Sequence, residues 1–206
     1  MTASFAAPVG EGSAARGTKR SSGIYHAFAG DAKPMDFVSV HDALTQARAR
    51  LFDWIRPLTQ EQYTRQFPFG LHTLRRTMVE IAIVEWLYAT RLREETVPPQ
   101  GDWPISEERQ PTFRDLETVW MEQTPKVRTT LAQITDWDKE IERRVTDGGK
   151  TRILIVTRGE AATQLLMHEV HHRAQAMAML RQLGVEAQNL DYIQFVRRVR
   201  EEPVQA

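Results

Sequence analysis

Three of the six histidines of this 206-residue chain lie within five positions, at His168, His171 and His172. Residues four apart on an α-helix share one face and differ by about 40° around the axis. His168 and His172 therefore present two imidazoles that can bind one metal ion, whereas His171 points about 100° away from His172. Gln175 and Met179 continue the shared face. This spacing favours a metal-binding protein over a helical protein without a site.

Two imidazoles need at least one further ligand, and the strongest candidate is Glu80. The helical period places Glu80 on the face that carries Leu87, which we expect to be buried. A buried carboxylate without a partner is costly, so an inward Glu80 requires a cation or a strong donor. In a second interpretation, Glu80 forms an exposed ion pair with Arg76, worth roughly 0.2–0.5 kcal/mol. The helical pattern alone leaves both interpretations open.

The same segment contains a second motif with a different chemistry. Residues 168–172 read His-Glu-Val-His-His, which matches the HExxH signature of zinc peptidases, with Glu169 as the group that would activate water. No third ligand follows at a familiar spacing, and no glycine-rich continuation follows His172. Five-residue matches also arise easily in a helix that is dense in His and Glu. We therefore rank the peptidase interpretation below the site formed with Glu80.

The composition narrows the possible chemistry. Lys+Arg and Asp+Glu both total 27, so the chain has no net charge that would attract nucleic acid. The absence of cysteine excludes disulfides, thiolate zinc sites and cysteine nucleophiles, and leaves His and carboxylate as metal ligands. No apolar run approaches the ~18 residues of a membrane span, and the first residues lack the apolar core of a secretory signal. We expect a soluble cytoplasmic protein that acts on a small molecule, not on nucleic acid or a membrane.

The histidine segment belongs to the last of four predicted amphipathic helices. Apolar residues at helical spacing predict helices over residues 36–55, 72–95, 112–134 and 159–183. Pro125 predicts a kink in the third helix, and a short helix is predicted after Asp191. Four long helices of this kind imply an all-α fold and a four-helix bundle.

The segment before the last helix changes period. Asp147-Gly148-Gly149 lies between two β-branched runs within residues 141–157, which predicts a small β-hairpin before the last bundle helix. Residues 1–35 are rich in Ala, Gly and Ser, and we interpret them as a flexible N-terminal arm ahead of a domain over residues 36–206. The more apolar residues 24–28 of that arm are predicted to dock on the domain or on a second subunit.

These features resemble the DinB-like superfamily, the damage-inducible or YfiT-type four-helix proteins, over about residues 36–200. The most specific part is His168-x-x-x-His172-Arg173-Ala174-Gln175, which looks like the family's HxxxHRxQ on the last bundle helix. Residues 74–86 look like the helix that ordinarily supplies the first His ligand, and residues 190–193 also look like the family. This chain differs from the family pattern where Glu80 takes the place of that histidine.

The resemblance implies a metal site formed by Glu80, His168 and His172, with Gln175 and Arg173 orienting ligands or substrate. Two imidazoles and one carboxylate with open positions suit a divalent Zn, Mn, Fe or Ni ion. Relatives include thiol S-transferases that use a low-molecular-weight thiol, and hydrolases or isomerases of thiol conjugates. The resemblance thus implies a divalent-metal-dependent transferase or hydrolase, and a homodimer through exposed helix faces. The alternative is a non-catalytic, stress-related bundle with a structural metal or a small-ligand pocket.

Overall fold

The computed structural model describes residues 36–200, which are mostly helical. The elements are α1 (Phe37–Ile55), α2 (Gln60–Thr64), α3 (Leu74–Leu92), α4 (Phe113–Gln133), β1 (Glu140–Asp147), β2 (Lys150–Thr157), α5 (Arg158–Gln182) and α6 (Ile193–Val196). The predicted helical fold with a small hairpin before the last long helix is confirmed. The N-terminal arm and its segment 24–28 lie outside the described residues, so the boundary after residue 35 stays a prediction.

Side-chain caps explain where the long helices begin. Asp36 accepts hydrogen bonds from the first backbone N–H groups of α1. Thr112 with Asp115, and Thr157 with Glu160, form reciprocal capping boxes at the starts of α4 and α5. Each box satisfies N–H groups that have no partner within the helix, which makes the start of a helix readable from the sequence.

The second predicted helix, over residues 72–95, is shorter in the structure. It spans Leu74–Leu92, and the side chain of Thr73 caps it. His72 has a φ of 70° and Glu94 a φ of 58°, both in the left-handed region. A right-handed helix cannot continue through such residues, and the apolar pattern from which the helix was predicted does not report on φ.

The four long helices pack in a closed cycle. Helix α3 contacts α4 and α5, and α1 contacts the same two helices. Two apolar clusters fill the space between them, the first around Leu51, Met78 and Trp120, the second around Leu44 and Leu165. Within residues 36–200, no helix has the length and apolar character to cross a membrane.

The hairpin extends from the helices into solvent. Strands β1 and β2 are antiparallel, with Glu140 opposite Thr157 and Asp147 opposite Lys150. The two turn glycines have φ angles of 54° and 74°, as a type I′ turn requires. Every residue of β2 before Thr157 is exposed. The chain enters α5 directly after β2, so the hairpin connects α4 to the helix that carries the histidines.

Candidate metal centre

The three residues predicted as metal ligands lie together where α3 packs against α5. Glu80 comes from α3, His168 and His172 come from α5, and one ligand atom of each lies within 4.8 Å of the other two. Nε2 of His168 is 3.8 Å from Oε1 of Glu80. The two imidazole centroids are 4.4 Å apart, with the ring planes at 63°. Within residues 36–200, no other group of three or more His, Asp or Glu side chains has this arrangement.

Glu80 is partly buried without a permanent cationic partner. Its side chain is 21% exposed, and its described ion-pair partner is His168. Burial raises the pKa of Glu80, and the charge of Arg76 opposes that rise. None of the ion pairs found in residues 36–200 joins Glu80 to Arg76 within 4.0 Å. The geometry therefore favours the inward interpretation of Glu80 over the exposed pair with Arg76.

The two imidazoles are neutral at pH 7. Burial, together with repulsion from His172 and His171, lowers the pKa of His168 to about 4. Burial also lowers the pKa of His172, although a hydrogen bond with Gln175 opposes this effect. Metal ions bind the neutral form of imidazole, because a protonated ring has no free lone pair. The protonation state of the pair thus suits metal binding.

Gln175 orients the ring of His172. Nδ1 of His172 donates to Oε1 of Gln175 at 3.0 Å, and Nε2 of Gln175 donates to Nε2 of His171 at 3.0 Å. This pattern leaves Nε2 of His172 as the ring atom available to a metal. Gly70, in the loop before α3, has a φ of 57°, and a Cβ there would lie 2.9 Å from Oε1 of Gln175. The predicted role of Gln175 in orienting a ligand is consistent with these contacts.

Arg173 has a different environment from the one its predicted role requires. It is 4% exposed, and its Nη1 lies 3.7 Å from Oε1 of Glu169. Its Nη2 donates to the carbonyl of Leu190 at 3.3 Å, which ties the loop between α5 and α6 to α5. None of the hydrogen bonds and ion pairs found in residues 36–200 joins Arg173 to His168 or His172. A role for Arg173 toward a ligand or substrate therefore stays a prediction.

Glu169 faces α1, and both of its carboxylate oxygens accept hydrogen bonds there. Its two oxygens accept hydrogen bonds from Nε and Nη2 of Arg48 at 3.3 and 2.6 Å. Both residues are 3% exposed. Both oxygens of this buried carboxylate are held by arginine, so Glu169 faces α1 and is not positioned to activate a water beside His168 and His172. The geometry thus gives no support to the HExxH peptidase interpretation, in which Glu169 activates water.

A buried network extends from this pair and was not predicted from the sequence. Nη2 of Arg48 also donates to Oε1 of Glu85 at 3.0 Å, and Nε2 of His41 lies 3.2 Å from the same oxygen. Oε2 of Glu85 accepts from Trp120 Nε1 and, at 2.9 Å, from Gln123 Nε2. Burial tends to raise the pKa of Glu85, but Arg48 and His41 hold it below its ordinary value. We call His41, Arg48, Glu85 and Glu169 the buried ion network.

Comparison with known proteins identifies the family. The DinB family model matches residues 39–202. The crystal structure of a DinB-like protein from Bacillus cereus ATCC 10987 aligns with a TM-score of 0.50 at 15% sequence identity, covering 73% of this chain and 94% of that chain. At this identity the likeness shows a shared fold alone. No curated protein sequence matches the chain. The family match spans most of the chain, and the chain belongs to the DinB family.

Proposed function

We propose that this protein is a divalent-metal-dependent enzyme of the thiol S-transferase or hydrolase type, on a DinB-type four-helix bundle. Glu80, His168 and His172 are the proposed ligands of a Zn, Mn, Fe or Ni ion. The observation that carries the proposal is the meeting of two neutral imidazoles and a partly buried carboxylate for which no ion pair with arginine or lysine is found within residues 36–200. When bound, such an ion lowers the pKa of a coordinated thiol or water, which supplies a nucleophile at neutral pH.

The side chains around the site have distinct parts in this proposal. Glu80 contributes the negative charge that compensates a cation, and Gln175 holds the ring of His172 in one tautomer. The partial exposure of Glu80 and His168, 21% and 12%, leaves the site accessible to a small substrate such as a low-molecular-weight thiol. This access suits a small molecule better than a polypeptide, because a peptide substrate needs an extended groove.

Metal content tests the ligand set. Protein purified without chelator is expected to hold roughly one divalent ion per chain. Glu80→Gln and His168→Ala should each lose most of that metal, because each removes a ligand. Glu122→Gln, which changes an exposed carboxylate of α4, is the matched control and should keep it. Unchanged metal content in both site variants would contradict the proposal.

Enzymatic activity needs a separate measurement. The metal-loaded protein should consume a low-molecular-weight thiol together with an electrophilic acceptor, or hydrolyse a thiol conjugate, and a chelator should stop the reaction. The alternative is a structural metal, which the position of the site between α3 and α5 favours, since a bound ion would join the two helices. In that case a chelator lowers the melting temperature, and no substrate is consumed.

A further inference from the structure

The outer edge of β2 combines exposed apolar side chains with an unpaired backbone. Ile153, Leu154, Ile155 and Val156 are 50%, 47%, 52% and 39% exposed. The sheet found in residues 36–200 contains β1 and β2 only, so the second edge of β2 has no strand partner there. Monomeric proteins usually protect such an edge with charge, proline or a bulge. In β2 the charged residues lie only in the first half of the strand.

We infer that two copies of this chain pair through antiparallel β2 strands and form a four-stranded sheet. A two-fold axis through such a pair stands perpendicular to the sheet, so side chains of the same face meet. With Leu154 on the axis, Ile153 of each copy lies opposite Ile155 of the other. Arg152 then lies opposite Val156. This register brings apolar side chains together and places no two like charges opposite one another.

Charges on β1 fit the same sheet. In the hairpin, Glu142 lies opposite Ile155 and Arg144 lies opposite Ile153. In the paired sheet, one row across the four strands thus reads Glu142 and Ile155 of one copy, then Ile153 and Arg144 of the second copy. Each such row has an apolar centre and opposite charges at its two ends.

The edge of β1 is a poorer candidate for the same interaction. A two-fold register centred on Glu142, Arg143 or Arg144 places a charged residue opposite its own copy. Like charges directly opposite each other destabilise a strand pair. The three residues occupy the middle of β1, so the registers with the most backbone pairing are the ones that repulsion disfavours. The geometry therefore points to β2 as the edge that pairs.

Sedimentation of the full-length protein tests the pairing. One strand edge is smaller than a standard interface of about 1,600 Å², so we expect a weak dimer that forms at micromolar concentration. The measured mass should double from 23.7 kDa as concentration rises. Leu154→Lys places two ammonium groups at the axis and should abolish the dimer. Met121→Lys makes the same kind of change at a residue of α4 that is 67% exposed, and should retain it.

Cysteine crosslinking tests the register, because the chain contains no cysteine of its own. Opposite residues of an antiparallel pair have Cα atoms about 4.5–5.5 Å apart, within the range of a disulfide. Leu154→Cys should therefore give a covalent dimer on mild oxidation. Thr151→Cys lies on the same exposed strand, but its two copies would be about 20 Å apart at ~3.3 Å per residue. This control should stay monomeric on a denaturing gel.

Several results would overturn the inference. Wild-type protein that stays monomeric from micromolar to millimolar concentration excludes the dimer. A dimer that survives Leu154→Lys, or equal crosslinking of the two cysteine variants, assigns the contact to another surface. Slow hydrogen exchange, in a monomer, of the β2 amides that do not pair with β1 would show that another part of the chain covers the edge instead. Circular dichroism of Leu154→Lys should match the wild type, since Leu154 is exposed in the single chain.

Discussion

Helix α5 contributes side chains to two polar regions, the buried ion network and the candidate metal centre. The two regions compensate their buried negative charge in different ways. In the buried ion network, Arg48 supplies a positive charge to both Glu85 and Glu169. In the candidate metal centre, Glu80 faces neutral His168, and no ion pair found in residues 36–200 gives it an arginine or lysine within 4.0 Å. A buried charge needs an opposite charge. The network contains its own cation, whereas the metal centre requires one from outside the chain.

The largest expected effect comes from removing the internal cation. Arg48→Met removes the cation shared by Glu85 and Glu169 and leaves Glu169 with the more distant Arg173, at 3.7 Å. This loss should lower the free energy of unfolding by about 3–5 kcal/mol. The control is Arg128→Met, which breaks the exposed pair with Asp42 and should cost about 0–1 kcal/mol. Urea denaturation measures both values. Equal losses in the two variants would show that the network does not depend on Arg48.

Addition of a metal ion should distinguish the roles of two carboxylates of α3, Glu80 and Glu85. A divalent ion at 100 times its dissociation constant should raise the free energy of unfolding by about 2.7 kcal/mol. Glu80→Gln should abolish most of this gain and change little in metal-free protein. Glu85→Gln should destabilise the protein with or without metal, because it removes the charge that pairs with Arg48. The proposed distinction fails if both variants lose stability equally in metal-free protein.

A smaller effect is expected from the hydrogen bond that orients His172. Gln175→Ala removes it and should weaken metal affinity by ~10–100-fold, the usual effect of losing such a partner. Gly70→Ala should act in the same direction and less strongly, because its Cβ would displace the Gln175 amide. Isothermal titration with the metal gives both affinities. Ala174→Ser, at an exposed position of α5, is the control and should bind metal as the wild type does.

The last effect is a pH dependence of stability, which distinguishes the candidate metal centre from the buried ion network. In metal-free protein, His168 has a pKa of about 4, against 6.5 in the unfolded chain. The unfolded state therefore binds more protons between these values, so stability falls as pH decreases from 6.5 towards 4. The raised pKa of Glu80 acts in the opposite direction above 4.5 and reduces the slope. The lowered pKa of Glu85 removes stability only below 4.5.

The histidine variant provides the check on this pH dependence. His168→Asn should reduce the decline between pH 6.5 and 4.5, leaving the part that comes from the lowered pKa of His172. The decline below 4.5 should stay in place, as followed by urea denaturation at each pH. A decline that is unchanged above pH 4.5 in this variant would assign it to other groups.

Features that depend on neighbouring residues were predictable from the sequence. The capping boxes, the glycine turn and the stacked His168 and His172 all arise from spacings of four residues or fewer, which local geometry determines. The inward position of Glu80 needed the helical period together with the family resemblance. The predicted helix extends beyond both ends of α3, because the left-handed conformations of His72 and Glu94 depend on the surrounding loops.

The buried ion network could not be predicted in the same way. Arg48 lies on the apolar face of α1 with Leu44 and Leu51, and a charged residue at such a position was the available signal. Its partners come from α3 and α5, and Glu169 is 121 positions away in the chain. The hydrophobic periodicity of one helix shows that a charged side chain lies on its buried face. The identity of the partner of that side chain depends on how the helices pack together.

The capped start of α5 has a consequence for how this protein tolerates insertions and deletions. Thr157 sets the first turn, and Glu169 and His172 later project toward different neighbours. One added residue between Thr157 and His168 would turn everything after it by about 100°, aiming imidazoles at Arg48 and a carboxylate elsewhere. We therefore expect length variation in the exposed hairpin. When one residue is added to each strand, the hairpin becomes longer, and the residues of α5 keep their orientation around the helix axis.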